Sequence, residues 1–418
     1  MPERDLVQDT IYRRLRRRLT AAAHDVDDAI GRFRGRPVRV LVEAASPVSM
    51  AVVRPVFTRL RRDPRLEFWF TTCDESWHAD TIFAPLGITA RVIPALQARW
   101  MKFDAYVNTD FWNMTWLSRR TRRIHFFHGV AGKYGLDAPV RIAPVIAQFD
   151  RLMFPNEDRR DRYAAAGLVD GASPRAALVG YPKVDCLVDG SLNRPAIERA
   201  IGLNPNRPTV LYAPTWSPYS SLHTSGKAIL HALSGLDVNV VVKLHDRSYD
   251  NAARASGGVD WHKELEPFCR ERGIHLATQP DASPYLFAAD ALVTDHSSVG
   301  FEFMLVDRPL VIVDCPELIE KARVNPQKVA LMRSAADVVR DPSSAAEAVR
   351  HALNRPSTYT AQRRAIAAQL FFGAGAATSR AVQCFYTLLA LEAPAAVRAS
   401  AAIPEHSATL APFEARTT

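Results

Sequence analysis

No run of 18 apolar residues occurs in this chain, so a membrane-spanning helix is not expected. The opening stretch, Met1 to Thr20, is Arg-rich and of mixed charge, with no apolar segment ahead of a small-residue cleavage site, so no secretory leader is expected either. Cysteine is sparse. Cys73, Cys186, Cys269, Cys315 and Cys384 are scattered, odd in number and never spaced as CxxC, which argues against a disulfide framework or a zinc cage and fits a reducing cytoplasm. Also missing are a Gly-rich Lys-Ser/Thr phosphate loop, an HExxH helix, a GxSxG elbow and a GxGxxG after the first strand. Neither Asp/Glu pairs nor Cys/His clusters show metal-ligand spacing. Transfer chemistry with no metal and no resident cofactor is the expectation. RNA-recognition signatures, Cys/His fingers and heptad-linked basic regions are absent, so no nucleic-acid partner is expected.

What remains is enough chain for two cores. At 418 residues, 48% hydrophobic and 23% charged, the sequence exceeds one ordinary domain. Its positive charge is uneven: residues 1–150 hold 24 Lys and Arg against 16 Asp and Glu, a net of +8 from the total of +9. Two clusters dominate, Arg13, Arg14, Arg16, Arg17 and Arg18 near the start, and Arg119, Arg120, Arg122 and Arg123 before His125. Each reads either as a solvated helix face or as an attractor of a polyanion or an anionic membrane surface.

After the basic helix, short apolar runs alternate with helical patterns: Val38 to Val42, Leu66 to Phe70, Ala105 to Asn108, Ile124 to Phe127 and Leu152 to Phe154. A second series covers Thr209 to Tyr212, Val238 to Lys243, Ala291 to Thr294 and Leu310 to Asp314. Such alternation builds parallel sheets flanked by helices. The expected fold is α/β, with two doubly wound Rossmann-like domains facing a central cleft and a helical C-terminal segment. Expected boundaries are a basic helical N-terminus (1–35), an acceptor domain (36–190), a donor-nucleotide domain (191–375), a helix over 376–392 packing back on the first domain, and a frayed tail (393–418).

In open parallel sheets, ligands bind beyond the C-terminal ends of the strands. The segment from Asp290 to Glu302 places Asp295, Ser297 and Ser298 there, with a helix whose first turn holds Gly300. Backbone N–H groups and hydroxyls at such a turn can hold a phosphate, and Gly300 would let it approach. The bland alternative is helix capping by a serine, but no reciprocal capping box accounts for Glu302, which could reach a ribose hydroxyl. Lys243, His245 and Arg247 end a neighbouring strand, and Thr215 and Trp216 another, the indole reading as a core anchor. In the first half, His128-Gly129 follows a strand and Lys133 lies in the next loop, a candidate general base beside a phosphate ligand. His125, inside the strand, reads as structural.

Taken together, His128-Gly129 with Lys133, Gly180-Tyr-Pro-Lys-Val-Asp185, Tyr212-Ala-Pro-Thr-Trp216, Lys243-Leu-His245 and Thr294-Asp-His-Ser-Ser-Val-Gly-Phe-Glu302 resemble the CDP-glycerol glycerophosphotransferase family of teichoic-acid and capsule polymerases, with a glycosyltransferase-B type fold. The resemblance implies transfer of a polyol phosphate from a CDP-linked donor to a hydroxyl of an anionic polymer or lipid-linked acceptor in cell-envelope synthesis, with release of CMP. It implies that His128 and His245 are catalytic and that Ser297 and Ser298 hold the donor phosphates. The setting it implies is the inner face of the cell membrane, as a peripheral protein. Departures are visible: Asp246 stands where many members have proline, His296 where they have tyrosine, Lys183-Val184 where Arg-Asn is usual, and Glu302 where aspartate is common. Rival readings are a nucleotide-sugar glycosyltransferase or epimerase of the same fold, and a non-catalytic basic scaffold. The sequence leaves the oligomeric state open, a homo-oligomer included.

Overall fold

The computed structural model describes residues 11–33, 35–73, 77–132, 135–250 and 252–398. Among the described residues, twelve strands form two six-stranded sheets, every pairing parallel. The first holds β1 (Val38–Glu43), β2 (Leu66–Thr71), β3 (Ala105–Asn108), β4 (Arg122–Phe126), β5 (Arg151–Phe154) and β6 (Ala176–Leu178), in the order β2-β1-β3-β4-β5-β6. The second holds β7 (Thr209–Tyr212), β8 (Asn239–Lys243), β9 (His275–Ala277), β10 (Ala291–Thr294), β11 (Leu310–Val313) and β12 (Asp337–Val339), in the order β12-β11-β10-β7-β8-β9. The central strands are runs of Val, Ile and Leu because helices cover both faces of each sheet and leave no wet side. Strand order reverses between β1 and β3 in one sheet and between β7 and β10 in the other, and these reversals open the crevices where such sheets take ligands.

β6, β9 and β12 are absent from the sequence expectation. All three are three-residue strands, and β6, β9 and β12 carry little fully buried apolar surface. At a sheet edge one side of the ladder is unpaired, so a short, mixed-polarity run suffices.

Helix α1 (Ile11–Phe33) is docked by one polar face. Asp27 accepts from Arg39 and from the Lys102 N–H (2.9 Å), Asp28 pairs with Arg36 and Lys102, and His24 bonds the Arg99 carbonyl. Arg36 and Lys102 precede β1 and β3, so α1 is anchored at the N-terminal edge of the first sheet. Arg119 and Arg120 lie exposed on that same edge, just before β4. Parallel strands put their ligand-binding ends at the opposite edge, so these arginines lie away from the crevice of the first sheet.

Helix α2 (Pro47–Leu60) follows β1. Ser46 caps it, accepting from the Ser49 N–H, and Pro47 starts it where a missing N–H costs nothing. At the other end of the chain, helix Ala377–Leu388 returns to α2: Arg59 donates to Ser379 (2.7 Å) and Tyr386 to Asp63 (2.9 Å). Ala393 and Val397, expected in a frayed tail, are buried in the core. Residues 399–418 lie outside the described residues.

Candidate active site

β4 ends at Phe126, and the chain turns at His128-Gly129. Gly129 has φ +81°, a left-handed conformation that side chains with a Cβ rarely adopt. The turn is held from both sides: the Gly129 N–H donates to Tyr181 Oη (3.1 Å), and Arg159 donates to the Gly129 carbonyl (2.7 Å). Burial pushes the Tyr181 phenol up to about 12, so it stays neutral and can accept that bond. His128 is left with a side chain 56% exposed. Its Nδ1 lies 2.9 Å from the Thr109 carbonyl, which can only accept. Nδ1 therefore carries the proton, and Nε2 presents a free lone pair.

Asp110 stands 3.9 Å from His128 Nδ1 and accepts from Ser49 Oγ (3.3 Å) in the first turn of α2. His125 is structural, as read from the sequence: it stacks on Phe111 (4.2 Å), bonds Asn108, and burial holds its pKa well below the usual value. Lys133 lies outside the described residues.

In the second sheet, the reversal between β7 and β10 collects Thr215, Asp295, Ser297 and Ser298. Asp295 is fully buried and accepts from the Thr215 N–H (2.9 Å), the Ser221 N–H (3.0 Å) and Ser221 Oγ (3.0 Å). This corrects its expected donor-binding role, because those bonds use both carboxylate oxygens to tie the loop after β7 to β10. Ser298 is half-buried and its hydroxyl makes no capping bond to the short helix Val299–Phe303. Ser298, His296, Phe301, Lys328 and Met332 line a small pocket with Ala131 from the loop after His128. Gly300 turns its bare face to Met332, whose Sδ would lie 2.7 Å from an added Cβ. Helix packing, rather than access for a phosphate, is what the glycine provides.

Two further expectations are corrected. Glu302 is 3% exposed, and both of its oxygens accept from Lys183 Nζ (2.9 and 2.7 Å). Its carboxylate is occupied in joining the two halves of the chain, not open to a ribose. Lys243 is buried and donates to the adjacent Leu244 carbonyl (2.6 Å), and burial lowers its pKa to about 8. An ammonium turned inward in this way does not grip an external phosphate.

His245, after β8, is partly exposed, with Nδ1 2.5 Å from Asp246 Oδ1. Arg247 is exposed and lies over Trp216 (5.0 Å), whose ring centroid is 6.3 Å from that of His245. Trp216 is half-buried and serves as a platform rather than the expected core anchor. Asp246 Oδ2 accepts from the Val48 N–H of α2 (3.1 Å). The first turn of α2 thus meets both histidines: through Ser49 and Asp110 on one side, and through Val48 and Asp246 on the other.

Sequence reading missed Thr109 and Asp110, although they follow β3 as His128 follows β4, and the same strand-end rule would have found them. Asp185 it quoted only as part of a motif. Its carboxylate accepts from the N–H groups of Gly375 (2.8 Å), Ala377 (3.1 Å) and Thr378 (2.6 Å), capping helix Ala377–Leu388. Among the described residues, no group of three or more His, Cys, Asp or Glu is arranged to hold a metal ion.

The fold is shared with the wall teichoic acid polymerase TagF, at a TM-score of 0.65 and 15% identity, covering 90% of this chain and 97% of that one. It is shared more loosely with a UDP-GlcNAc 2-epimerase from Neisseria meningitidis, at a TM-score of 0.53 and 13% identity, over 84% of this chain and 100% of that one. In sequence, the chain is 27% identical over 175 residues to a teichoic acid glycerol-phosphate primase from Bacillus spizizenii, which is 41% of this chain and 42% of the primase. The chain spans less than half the length of the curated relatives it matches. The model of one family covers residues 95–383, well over half of the sequence and including both histidine loops. The chain belongs to the CDP-glycerol:poly(glycerophosphate) glycerophosphotransferase family.

Proposed function

We propose that the protein transfers glycerol phosphate from CDP-glycerol to a hydroxyl of an anionic polymer or lipid-linked primer, releasing CMP. The observation that carries this reading is the convergence of His128 and His245, from different sheets, on one turn of α2. Phosphoryl transfer asks the protein mainly for position and charge stabilisation. The acceptor oxygen forms a bond to the glycerol-bearing phosphorus as the bond from that phosphorus to the CMP oxygen breaks. The acceptor proton passes to His128 Nε2, and the electron pair leaves with CMP. Ser298, half-buried after β10, would grip the donor phosphates with buried Ser297 and Thr215 behind it, and His245 and Arg247 would balance charge on the departing side.

A finer part belongs to the same proposal. Leu19, Val26, Ile30 and Phe33 are exposed on α1, beside exposed Arg16 and Arg18. An apolar stripe flanked by arginines suits the surface of an anionic bilayer, so the protein is placed as a peripheral protein at the inner face of the cell membrane. Among the described residues, no helix is long and apolar enough to cross a membrane.

The test is CMP release from CDP-glycerol with a glycerol-phosphate-primed lipid acceptor, run beside UDP-sugars. General-base catalysis is worth ~10²–10⁴-fold, so His128→Ala should cut turnover by about that much while CDP-glycerol affinity stays near wild type. Turnover of UDP-sugars without CMP release would overturn the reading. A fall in donor affinity as steep as the fall in rate would make His128 a binding residue instead.

A further inference from the structure

Asp246 occupies the position after the second histidine where many family members carry proline, and its environment is built rather than incidental. The side chain is 7% exposed. Its Oδ1 lies 2.5 Å from His245 Nδ1, and its Oδ2 accepts from the Val48 N–H across the two halves of the molecule. A lone pair on Nδ1 could not approach a carboxylate oxygen so closely, so Nδ1 carries a proton and donates it to Oδ1. The Arg247 N–H lies 3.1 Å from Nδ1 and 2.8 Å from Asp246 Oδ1. With Nδ1 protonated, that N–H goes to the carboxylate.

We propose that Asp246 is a positioning residue for the transfer: it fixes the tautomer and direction of the His245 ring, and through Val48 ties that ring to the helix turn that also steadies His128. This rests on the reading of His245 as a group that meets the donor. His245 Nε2 is then the atom directed outward to the donor. Burial works to raise the pKa of Asp246, but the His245 imidazole and the two backbone N–H groups outweigh it and leave the carboxyl well below the usual range. The charged groups around it are Lys243, on the preceding strand and turned inward, and exposed Arg247 on its own loop. A carboxylate that accepts three hydrogen bonds, two from its own loop and one from α2, has one orientation, and it passes that orientation to the imidazole.

The experiment uses the full chain, with Asp246→Ala, Asp246→Asn and Val48→Pro, each alone and the first also combined with His245→Ala. Val48→Pro removes the N–H in the first helical turn, where no intrahelical bond depends on it. Asp246→Ala should lower kcat by ten-fold or more with CDP-glycerol affinity within about two-fold of wild type, and Asp246→Asn should recover part of the loss because its amide oxygen can still accept from Nδ1. Val48→Pro should give a smaller fall in kcat. In the His245→Ala background Asp246→Ala should add little, since the group it acts through is gone. Nitrogen-15 spectra of the histidine rings, read without donor, should show His245 protonated at Nδ1 in the wild type and a tautomer mixture in Asp246→Ala. An unchanged tautomer in Asp246→Ala, or an equal loss in both backgrounds, would overturn the proposal. Because the spectra need no turnover, they decide the role of Asp246 even if CDP-glycerol proves not to be the donor.

Discussion

Replacing Ser298 by alanine separates binding from chemistry at the donor end. Its hydroxyl is half-buried, caps nothing and lines the pocket shared with the loop after His128. A hydrogen bond to a charged oxygen is worth ~1.5–3 kcal/mol, so Ser298→Ala should weaken CDP-glycerol binding by roughly ten-fold or more, with a smaller loss at saturating donor. Calorimetric titration beside steady-state kinetics checks this, and equal donor affinity with reduced kcat would move Ser298 from binding to catalysis. At this scale the sequence was readable in position: His128 and His245 were expected beyond strand ends, and they follow β4 and β8. It misled where a polar side chain met an unforeseen buried partner. Glu302 looked free because no local cap used it, yet its partner Lys183 stands 119 residues earlier in the chain. Asp295 was likewise spoken for by Ser221, at the start of the helix that follows the neighbouring strand β7 and 74 residues earlier in the chain.

The Lys183–Glu302 pair shows what elements contribute to one another. Lys183 lies in the 3₁₀ turn Pro182–Leu187, and Glu302 in the short helix after β10, so one ion pair, 8% and 3% exposed, bridges the two sheets' layers. Removing one member leaves a buried charge without its partner, at a cost of about 3–5 kcal/mol, whereas replacing both by apolar residues can be near neutral. Lys183→Met should therefore lower the thermal midpoint clearly, and Lys183→Met with Glu302→Leu should recover most of it, both read by calorimetry. If the double variant binds CDP-glycerol like the wild type, Glu302 is structural; if it folds but loses donor, the ribose contact has to be restored to the account. Elements themselves were largely legible, because β1, β8, β10 and β11 are apolar runs of a length that only strands use. The three edge strands were not, since pairing on one side makes little demand on composition.

Across the whole molecule, charge and chemistry sit at opposite edges of the first sheet. α1 and the Arg119–Arg120 pair lie at the N-terminal edge, and His128 beyond the C-terminal edge of β4. A protein lying on a bilayer through α1 would hold the His128 loop at the sheet edge turned away from the surface. Each basic residue near an anionic surface contributes at most ~1 kcal/mol, and salt screens it. Sedimentation with phosphatidylglycerol vesicles should thus fall as ionic strength rises, and should weaken further when Ile30 and Phe33 are both made serine. Binding that ignores salt, or none at all, would remove α1 from this role.

The cap that Asp185 places on helix Ala377–Leu388 bears on how the polypeptide can be cut. That helix and Tyr386 complete the layer around α2, so the half carrying His128 is assembled from the beginning and the end of the chain, with the other half inserted between. A fragment stopped near residue 190 would strand the Asp185 carboxylate and bare the flank of α2. Dissection of this protein into separately purified halves must therefore join helix Ala377–Leu388 to the first half by a spliced linker.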